Sequence, residues 1–94
     1  MILRTKGGDK MQEKLIGKIL HYYNNIGVGI IDLLDELKIN DKIHIKGQTT
    51  DFEQVVDSLQ IDHEEVSEAD AGDSVGIKTI QPVREKDEVF LVTD

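Results

Sequence analysis

Apolar and polar residues alternate along much of the chain with the two-residue period of β-strands. The segments 14–23 (KLIGKILHYY) and 42–47 (KIHIKG) place successive side chains on opposite faces, and the second puts two isoleucines on one face. Six short strands without alternating helices are typical of an all-β domain. The other four strands are predicted over 26–33, 51–63, 74–80 and 88–94.

Breaks in the alternation predict where the chain turns. The dipeptide 24–25 (NN) is soon followed by a glycine, which predicts a hairpin between the first two strands. The hydrophobic phase of 51–63 changes near Val55, which predicts a bulge or a sharp bend. The leucines of 31–38 have helical spacing, but the segment is brief and follows a strand without a cap. We therefore interpret it as a strand end and a loop.

Three of the predicted strands begin after similar turns, in which an aspartate follows the turn residue. Asparagine and glycine tolerate positive φ, and aspartate side chains accept hydrogen bonds from nearby backbone N–H groups. Lys86 is less suited to positive φ, so we expect the third turn to differ. The three tetrapeptides are Asn40-Asp41-Lys42-Ile43, Gly72-Asp73-Ser74-Val75 and Lys86-Asp87-Glu88-Val89.

These features predict a single all-β domain over residues 11–94, a small, roughly six-stranded, closed β-barrel. The 94 residues are enough for one domain and not for two. Closure into a barrel removes the unpaired sheet edges that are a hazard for an isolated sheet.

Residues 1–10 are set apart from this domain. The segment Lys6 to Met11 (KGGDKM) can be encoded by AAA GGA GGT GAT AAA ATG, which contains the purine-rich sequence that bacterial ribosomes bind shortly before a start codon. We therefore predict that Met11 is the start and that residues 1–10 are a translated leader, with a disordered tail as the alternative. The codons of Gly7 and Gly8 would test this prediction.

The chain is acidic and contains no cysteine; its formal net charge is −8. The absence of cysteine excludes disulfides, thiolate metal sites and a thiol nucleophile. Free binding to a nucleic-acid backbone draws on clustered lysine and arginine, so we expect neither free nucleic-acid binding nor attraction to an anionic membrane. No apolar run approaches the roughly 18 residues of a membrane span, and we expect a cytoplasmic protein.

The turns and their order along the chain resemble the second domain of translation elongation factor Tu, a small β-barrel. The strands of that domain follow turns of the types Leu-Lys-x-Gly-Asp and Ala-Gly-Asp-x-Val-Gly. ELKINDKIHIKG is similar to the first type, with Asn40 in the glycine place, and ADAGDSVGI is similar to the second. GKILHYYNNIGVGIIDL resembles the opening hairpin of the domain, and VREKDEVFLV resembles a later turn and strand. The matching residues are Leu37, Lys38 and Asp41 in the first turn and Ala71, Gly72, Asp73, Val75 and Gly76 in the second.

Over about Lys14 to Val92 the chain is similar to stand-alone translation elongation factor-like proteins, and a similar barrel ends collagenase-like family peptidases. The resemblance implies a non-enzymatic binding module that docks on a protein or ribonucleoprotein linked to translation or tRNA modification. The alternative is an accessory subunit acting in trans with a collagenase-like peptidase-family, tRNA-modifying enzyme. The acidic charge implies a partner with a basic surface.

No phosphate loop of the form G-x-x-x-x-G-K-[ST] is present, so we expect no GTP binding. No serine has the context of a nucleophile elbow, and paired catalytic carboxylates cannot be singled out, so we expect no enzyme activity. His21, His44 and His63 lie on three predicted strands without close ligand spacing. We therefore expect solvated histidines and neither a metal nor another cofactor. The acidic segment 62–70 lacks the glycine turn and the alternating ligands of a calcium loop.

The segment His21, Tyr22, Tyr23 and Asn24 is the candidate partner-binding site. Aromatic residues are favoured anchors at interfaces and can stack on bases. Adjacent strand residues face opposite sides, so we expect one tyrosine at the rim of the core and the other facing a partner. The alternative is that both tyrosines cap a small barrel that has few aromatic residues.

Overall fold

The computed structural model describes residues 12–93, which form ten antiparallel β-strands. No helix occurs in this part of the chain, so the all-β prediction is confirmed. The segment 31–38 is a strand end and a loop as predicted, except that its last two residues form a short strand. Residues 1–10, predicted to be a leader or a tail, lie outside the described residues. The strands are β1 (Gln12–Tyr23), β2 (Val28–Leu33), β3 (Leu37–Lys38), β4 (Lys42–Lys46), β5 (Asp51–Val55), β6 (Leu59–Ile61), β7 (Glu64–Val66), β8 (Glu68–Ala69), β9 (Ser74–Lys78) and β10 (Glu88–Thr93).

Eight of the strands form one sheet in the order β5-β4-β10-β1-β2-β9-β6-β7, and β3 pairs with β8 in a separate two-stranded sheet. The outer strands β5 and β7 do not pair with each other within residues 12–93, so the prediction of a closed, six-stranded barrel is wrong in closure and in strand number. Both edges carry charged residues, which discourage pairing with further strands. These are Asp51 and Glu53 on β5 and Glu64 and Glu65 on β7.

The side chain of Gln54 connects the edge strand β5 to the end of β9, where no backbone pairing joins the two strands. Gln54 is buried; its Nε2 donates to the Lys78 carbonyl at 2.8 Å, and its Oε1 accepts from the Ile80 N–H at 2.9 Å. One amide therefore satisfies a backbone donor and a backbone acceptor at the end of β9. This contact brings the β5 edge against β9 without closing the sheet.

The core lies against the inner face of the large sheet, and it confirms the predicted alternation where the strands are regular. Ile43 and Ile45 are fully buried, whereas Lys42 and Lys46, which flank them in the strand, are exposed. The buried apolar residues are Ile16, Ile19, Ile31, Leu33, Leu37, Ile43, Ile45, Phe52, Val56, Leu59, Ala69, Val75, Ile77, Val83, Val89 and Val92.

The alternation fails in β1, where the pairing register shifts twice. One shift lies between Leu15 and Gly17 against β10, and the other between Ile19 and His21 against β2. Each shift inserts a residue and reverses which side chains face inward. Ile16 and Ile19 are therefore both buried, although strict alternation placed them on opposite faces.

The segment 51–63, predicted as one long strand, is divided into β5 and β6 by the bend that its phase change predicts. Val56 still pairs beyond β5, because its N–H donates to the Asp41 carbonyl at 2.8 Å and its carbonyl accepts from the Asn40 N–H at 2.7 Å. The chain then turns the corner, and Leu59 enters the core while Val55 stays exposed.

The three aspartate turns share one geometry. In each, an aspartate Oδ2 accepts from the backbone N–H three residues earlier at 2.9 Å, and the aspartate N–H donates to the carbonyl of that same residue at 3.1 Å. The residue before the aspartate has positive φ at all three sites: 78° at Asn40, 94° at Gly72 and 76° at Lys86. The expectation that the third turn differs is therefore wrong.

Candidate binding surfaces

The β1–β2 hairpin carries the predicted partner-binding residues and separates its two tyrosines. Tyr22 packs against the core, whereas Tyr23 is 46% exposed. The tight turn that follows leaves Asn24 exposed, and the Tyr23 carbonyl accepts from the N–H groups of Ile26 and Gly27 at 3.2 and 2.8 Å. The alternation along β1 thus directs one tyrosine inward and the other outward, as expected.

His21 lies on the same side as Tyr23 and contacts it. The two ring centroids are 4.4 Å apart at an interplanar angle of 71°, an edge-to-face arrangement. The Nδ1 atom of His21 also lies 3.4 Å from a Glu85 carboxylate oxygen, and both side chains are exposed. Such an exposed, long contact contributes little to stability.

A groove of about 510 Å³ adjoins Tyr23 on the outer face of β2, β9 and β6. Its apolar wall is built by Tyr23, Ile26, Val28 and Ile30, and Gly76 forms part of its floor. A Cβ at Gly76 would lie 3.4 Å from Val28 and 3.5 Å from Ile30, so the glycine keeps the floor low. We call this surface the apolar groove; its remaining lining residues are Gln60, Asp62, His63 and Ser74.

The far wall of the apolar groove is a strained turn. Asp62 and His63 connect β6 to β7 with φ of 52° and 67°, so both central residues of this two-residue hairpin loop have positive φ. Such loops favour Asn-Gly or Asp-Gly, because a residue with a Cβ is disfavoured there. The structure holds an exposed histidine at the groove rim at this conformational cost.

A second depression of about 380 Å³ continues from the apolar groove along β6 and β9, and the two share Val28, Gln60 and Gly76. Its rim is mainly acidic, with Asp57 and Glu65 against a single lysine, Lys78. The exposed surface near Tyr23 therefore combines an apolar wall with a negative margin.

A separate groove of about 450 Å³, the basic groove, lies between the β4–β5 connection and the turn before β10. It is lined by four of the eight lysine and arginine residues in 12–93. The expectation of no free nucleic-acid binding considers total charge, which does not report how the charges are distributed, and it stays a prediction. The four residues are Lys18, Lys46, Arg84 and Lys86, and three carboxylates line the same groove: Glu85, Asp87 and Glu88.

His44 lies between carboxylates contributed by two other strands. Its Nδ1 is 2.8 Å from Oε2 of Glu13 and its Nε2 is 2.5 Å from Oδ1 of Asp51. The side chain is only 13% exposed, contrary to the expectation of a solvated histidine. Glu53 stands opposite His44 in the β4–β5 register and pairs with Lys42 at 3.1 Å. We call Glu13, His44, Asp51 and Glu53 the His44 cluster.

The carboxylates reverse the effect of burial on His44. Burial lowers the pKa of the imidazole, but the hydrogen bonds and charges of Asp51 and Glu13 together raise the pKa above its ordinary value of 6.5. The same contact lowers the pKa of Asp51 below its ordinary value of 3.8. Both ring nitrogens have an acceptor, so the cluster favours the imidazolium form.

The spacing of residues along the sequence predicts only part of the His44 cluster. The three histidines do not form one group in residues 12–93, and the structure instead surrounds one of them with carboxylates. Asp51 and Glu53 alternate along β5, a signal that they share the outward face of His44. Nothing in the spacing indicates Glu13, which lies on β1 and is separated from β4 by β10.

Comparisons with known proteins relate this chain to peptidase-family proteins. No protein-family model matches it. It is 42% identical over 80 residues to a protein named as an uncharacterized protease of Methanocaldococcus jannaschii, an alignment that covers 84% of this chain and 20% of that protein. The chain therefore spans about a fifth of the length of the curated relative it matches.

Solved structures show the same fold in a C-terminal domain. The C-terminal domain of a putative U32 peptidase from Geobacillus thermoleovorans superimposes with a TM-score of 0.78 at 17% identity, covering 83% of this chain and 91% of that one. Its selenomethionine variant gives 0.77 at 18% identity, with coverages of 81% and 96%. These matches support the resemblance to the barrel that ends collagenase-like peptidases. The resemblance to elongation factor Tu stays a prediction.

Proposed function

We propose that this chain is a non-enzymatic accessory module of a U32-type peptidase-family enzyme, on which it docks through the apolar groove. The observation that carries the proposal is the 42% identity to a segment that makes up a fifth of a protein named as a protease. The fold of a separate C-terminal U32 peptidase domain supports it. Residues that resemble a segment of a larger protease-named protein are suited to contact the kind of enzyme of which that segment is a part.

The apolar groove has the composition of a docking surface. Tyr23 and Ile26 are 46% and 59% exposed beside a concave wall of further apolar side chains. Interfaces are anchored by such aromatic and apolar groups in pockets, with polar groups around them. The acidic margin formed by Asp57, Asp62 and Glu65 fits a partner that carries basic residues around an apolar contact. We place the chain in the cytoplasm as part of this proposal. Separately, residues 12–93 contain no helix that qualifies as a membrane span.

Binding of purified proteins tests the proposal. The chain should bind a U32-type peptidase-family protein encoded in the same genome, measured by isothermal titration calorimetry. Ile26→Lys should weaken binding about tenfold or more, because it places a charge at the contact. Leu34→Lys is the matched control, since Leu34 is 55% exposed and does not line the apolar groove.

Two results would contradict the proposal. If the chain binds none of the U32-type peptidase-family proteins of the same genome at tens of micromolar, the accessory role is wrong. Equal loss with Ile26→Lys and Leu34→Lys would keep the partner but reject the apolar groove as the contact.

A second candidate function follows from the basic groove, which suits docking on a ribonucleoprotein linked to translation or tRNA modification. Lys18, Lys46, Arg84 and Lys86 gather positive charge on one side of an acidic protein, and phosphate contacts depend on such clusters. The three aspartate turns, which carry the resemblance to elongation factor Tu, are consistent with this second function.

Titration with total tRNA separates the two functions. Binding that Arg84→Gln weakens and Lys78→Gln leaves unchanged would support the ribonucleoprotein function, because Lys78 lies outside the basic groove. Binding that both variants weaken equally, or that vanishes near 150 mM salt, would identify a nonspecific charge effect.

A further inference from the structure

We propose that Glu13, His44 and Glu53 form a binding site for a divalent transition-metal ion of the Zn²⁺ class. One nitrogen or oxygen atom from each of the three residues lies within 4.8 Å of the others. The three come from β1, β4 and β5 and meet on the outer face of the sheet. This inference does not depend on the proposed function, and it revises the expectation of no metal site.

The contact between Glu13 and His44 is close to the spacing that a shared metal ion imposes. The two ligand atoms, Nδ1 of His44 and Oε2 of Glu13, are 2.8 Å apart. Zinc binds imidazole nitrogen at about 2.0–2.1 Å and carboxylate oxygen at about 2.0–2.2 Å, which separates two ligand atoms on a tetrahedral ion by roughly 3.3 Å. The contact therefore opens by only roughly half an ångström when a metal ion replaces the proton.

Asp51 supports the imidazole in the way that metal-binding histidines require. The nitrogen that does not bind the metal usually donates its N–H to a carboxylate, which fixes the tautomer and the ring orientation. Here Nε2 lies 2.5 Å from Oδ1 of Asp51, so a proton is held on Nε2, and the proton that Nδ1 donates to Glu13 is the one that a metal ion replaces. The ring is also largely shielded, with 13% of the side chain exposed.

The third ligand, Glu53, is occupied by a competing cation. Lys42 Nζ lies 3.1 Å from Oε1 of Glu53, and both side chains are partly exposed. A metal ion at the site must share or displace this ammonium group. Removing Lys42 should therefore strengthen metal binding, whereas a general loss of structure would weaken it.

One imidazole nitrogen and two carboxylate oxygens favour borderline metals such as Zn²⁺, Co²⁺ or Ni²⁺. Ca²⁺ and Mg²⁺ prefer oxygen ligands alone. Three protein ligands leave at least one coordination position open to water, since Glu13 and Glu53 lie at the surface.

Calorimetric titration of the metal-free 94-residue chain with Zn²⁺ at pH 8 tests the site. We expect one Zn²⁺ per chain. His44→Ala and Glu53→Gln should each lower the affinity at least tenfold, and Asp51→Asn should lower it about 10–100-fold through the ring orientation. Lys42→Ala should raise the affinity. The long-range ¹H–¹⁵N NMR spectrum of the histidines should show Zn²⁺ shifting the nitrogens of His44 and not those of His63.

The other two histidines are matched controls. His21 contacts one carboxylate at 3.4 Å, His63 is exposed, and neither belongs to a metal-capable group in residues 12–93. His21→Ala and His63→Ala should bind Zn²⁺ as the parent chain does. If these controls lose as much affinity for Zn²⁺ as His44→Ala does, or if the parent chain does not bind millimolar Zn²⁺, the proposed site is wrong. Should His44→Ala fail to fold, Glu53→Gln and Lys42→Ala still test it, since the proposal requires opposite changes in affinity.

Discussion

The three aspartate turns make a quantitative prediction, because they place different residues in the same strained conformation. Lys86 has a φ of 76° where Gly72 has a φ of 94° and the turns share the same hydrogen bonds. Lysine carries a Cβ, which the left-handed region disfavours, whereas glycine enters it freely. We therefore expect Lys86→Gly to stabilise the protein and Gly72→Ala to destabilise it.

The magnitude follows from two opposing effects. A non-glycine residue in the left-handed region costs roughly 1–2 kcal/mol, and glycine loses about 0.4–1 kcal/mol relative to alanine through the greater freedom of the unfolded chain. Lys86→Gly should therefore exceed Lys86→Ala in free energy of unfolding by about 0.5–1 kcal/mol. Gly72→Ala should lower the free energy of unfolding by about the same amount, because it places a Cβ in the same backbone conformation. No steric clash adds to this loss, since the added Cβ meets no heavy atom within 4 Å.

Equilibrium urea unfolding followed by far-ultraviolet circular dichroism measures these differences. Lys86→Ala is the required control, since it removes the ammonium group and keeps the Cβ. Asn40→Gly should change the free energy of unfolding little, because asparagine tolerates positive φ. If Lys86→Gly and Lys86→Ala have equal stability, Lys86 is not strained and the reasoning fails.

Three further predictions concern other parts of the fold. Gly47→Ala should lower the free energy of unfolding by about 1–3 kcal/mol, because a Cβ there would lie 1.8 Å from Oδ1 of buried Asp87; unchanged urea unfolding would contradict this. Thr79→Val should raise the free energy by about 1 kcal/mol, because the buried Oγ1 has no hydrogen-bond partner within residues 12–93; a thermal melt that shows destabilisation would refute it. His44→Gln should lower the free energy of unfolding of chelator-treated protein most between pH 3.8 and pH 6.5. In this range His44 and Asp51 are both charged, since the pKa of His44 is raised above 6.5 and that of Asp51 is lowered below 3.8. The loss should shrink as the pH rises through the raised pKa or falls through the lowered one, and a loss that does not vary across pH 3–9 would contradict it.

The period-two pattern predicted the strands that have a buried face and at least five residues. β4 is the clearest case, because Ile43 and Ile45 point inward from a regular strand. The two-residue strands β3 and β8 are too short for any alternation to be recognised. The open edge was missed for a different reason: pairing between distant strands depends on where β5 ends and bends, and the local pattern does not contain that position.

The candidate surfaces also combine features that the sequence predicts with features that depend on the order of the strands. The separation of Tyr22 from Tyr23 follows from alternation along one strand, so the sequence predicts it. The apolar groove also needs Ile30 from β2 and His63 from the β6–β7 turn, and these meet Tyr23 only through the strand order. The turn motifs can be recognised in the sequence, because they depend on hydrogen bonds between residues close together in the chain. The resemblance based on them includes the barrel that ends collagenase-like peptidases.

The His44 cluster illustrates why residue type and spacing along the chain are weak guides to metal sites on sheets. A search for several histidines at close spacing discards it, because its ligands are one histidine and two glutamates, and Glu13 lies on a strand far from the other two in the sequence. On a sheet, however, the neighbours of a side chain are set by register: Glu53 faces His44 because β4 and β5 pair directly, and Glu13 reaches it across β10. The informative quantity is the set of outward residues on adjacent strands, and once the register is known a lone histidine beside alternating carboxylates becomes a candidate ligand group.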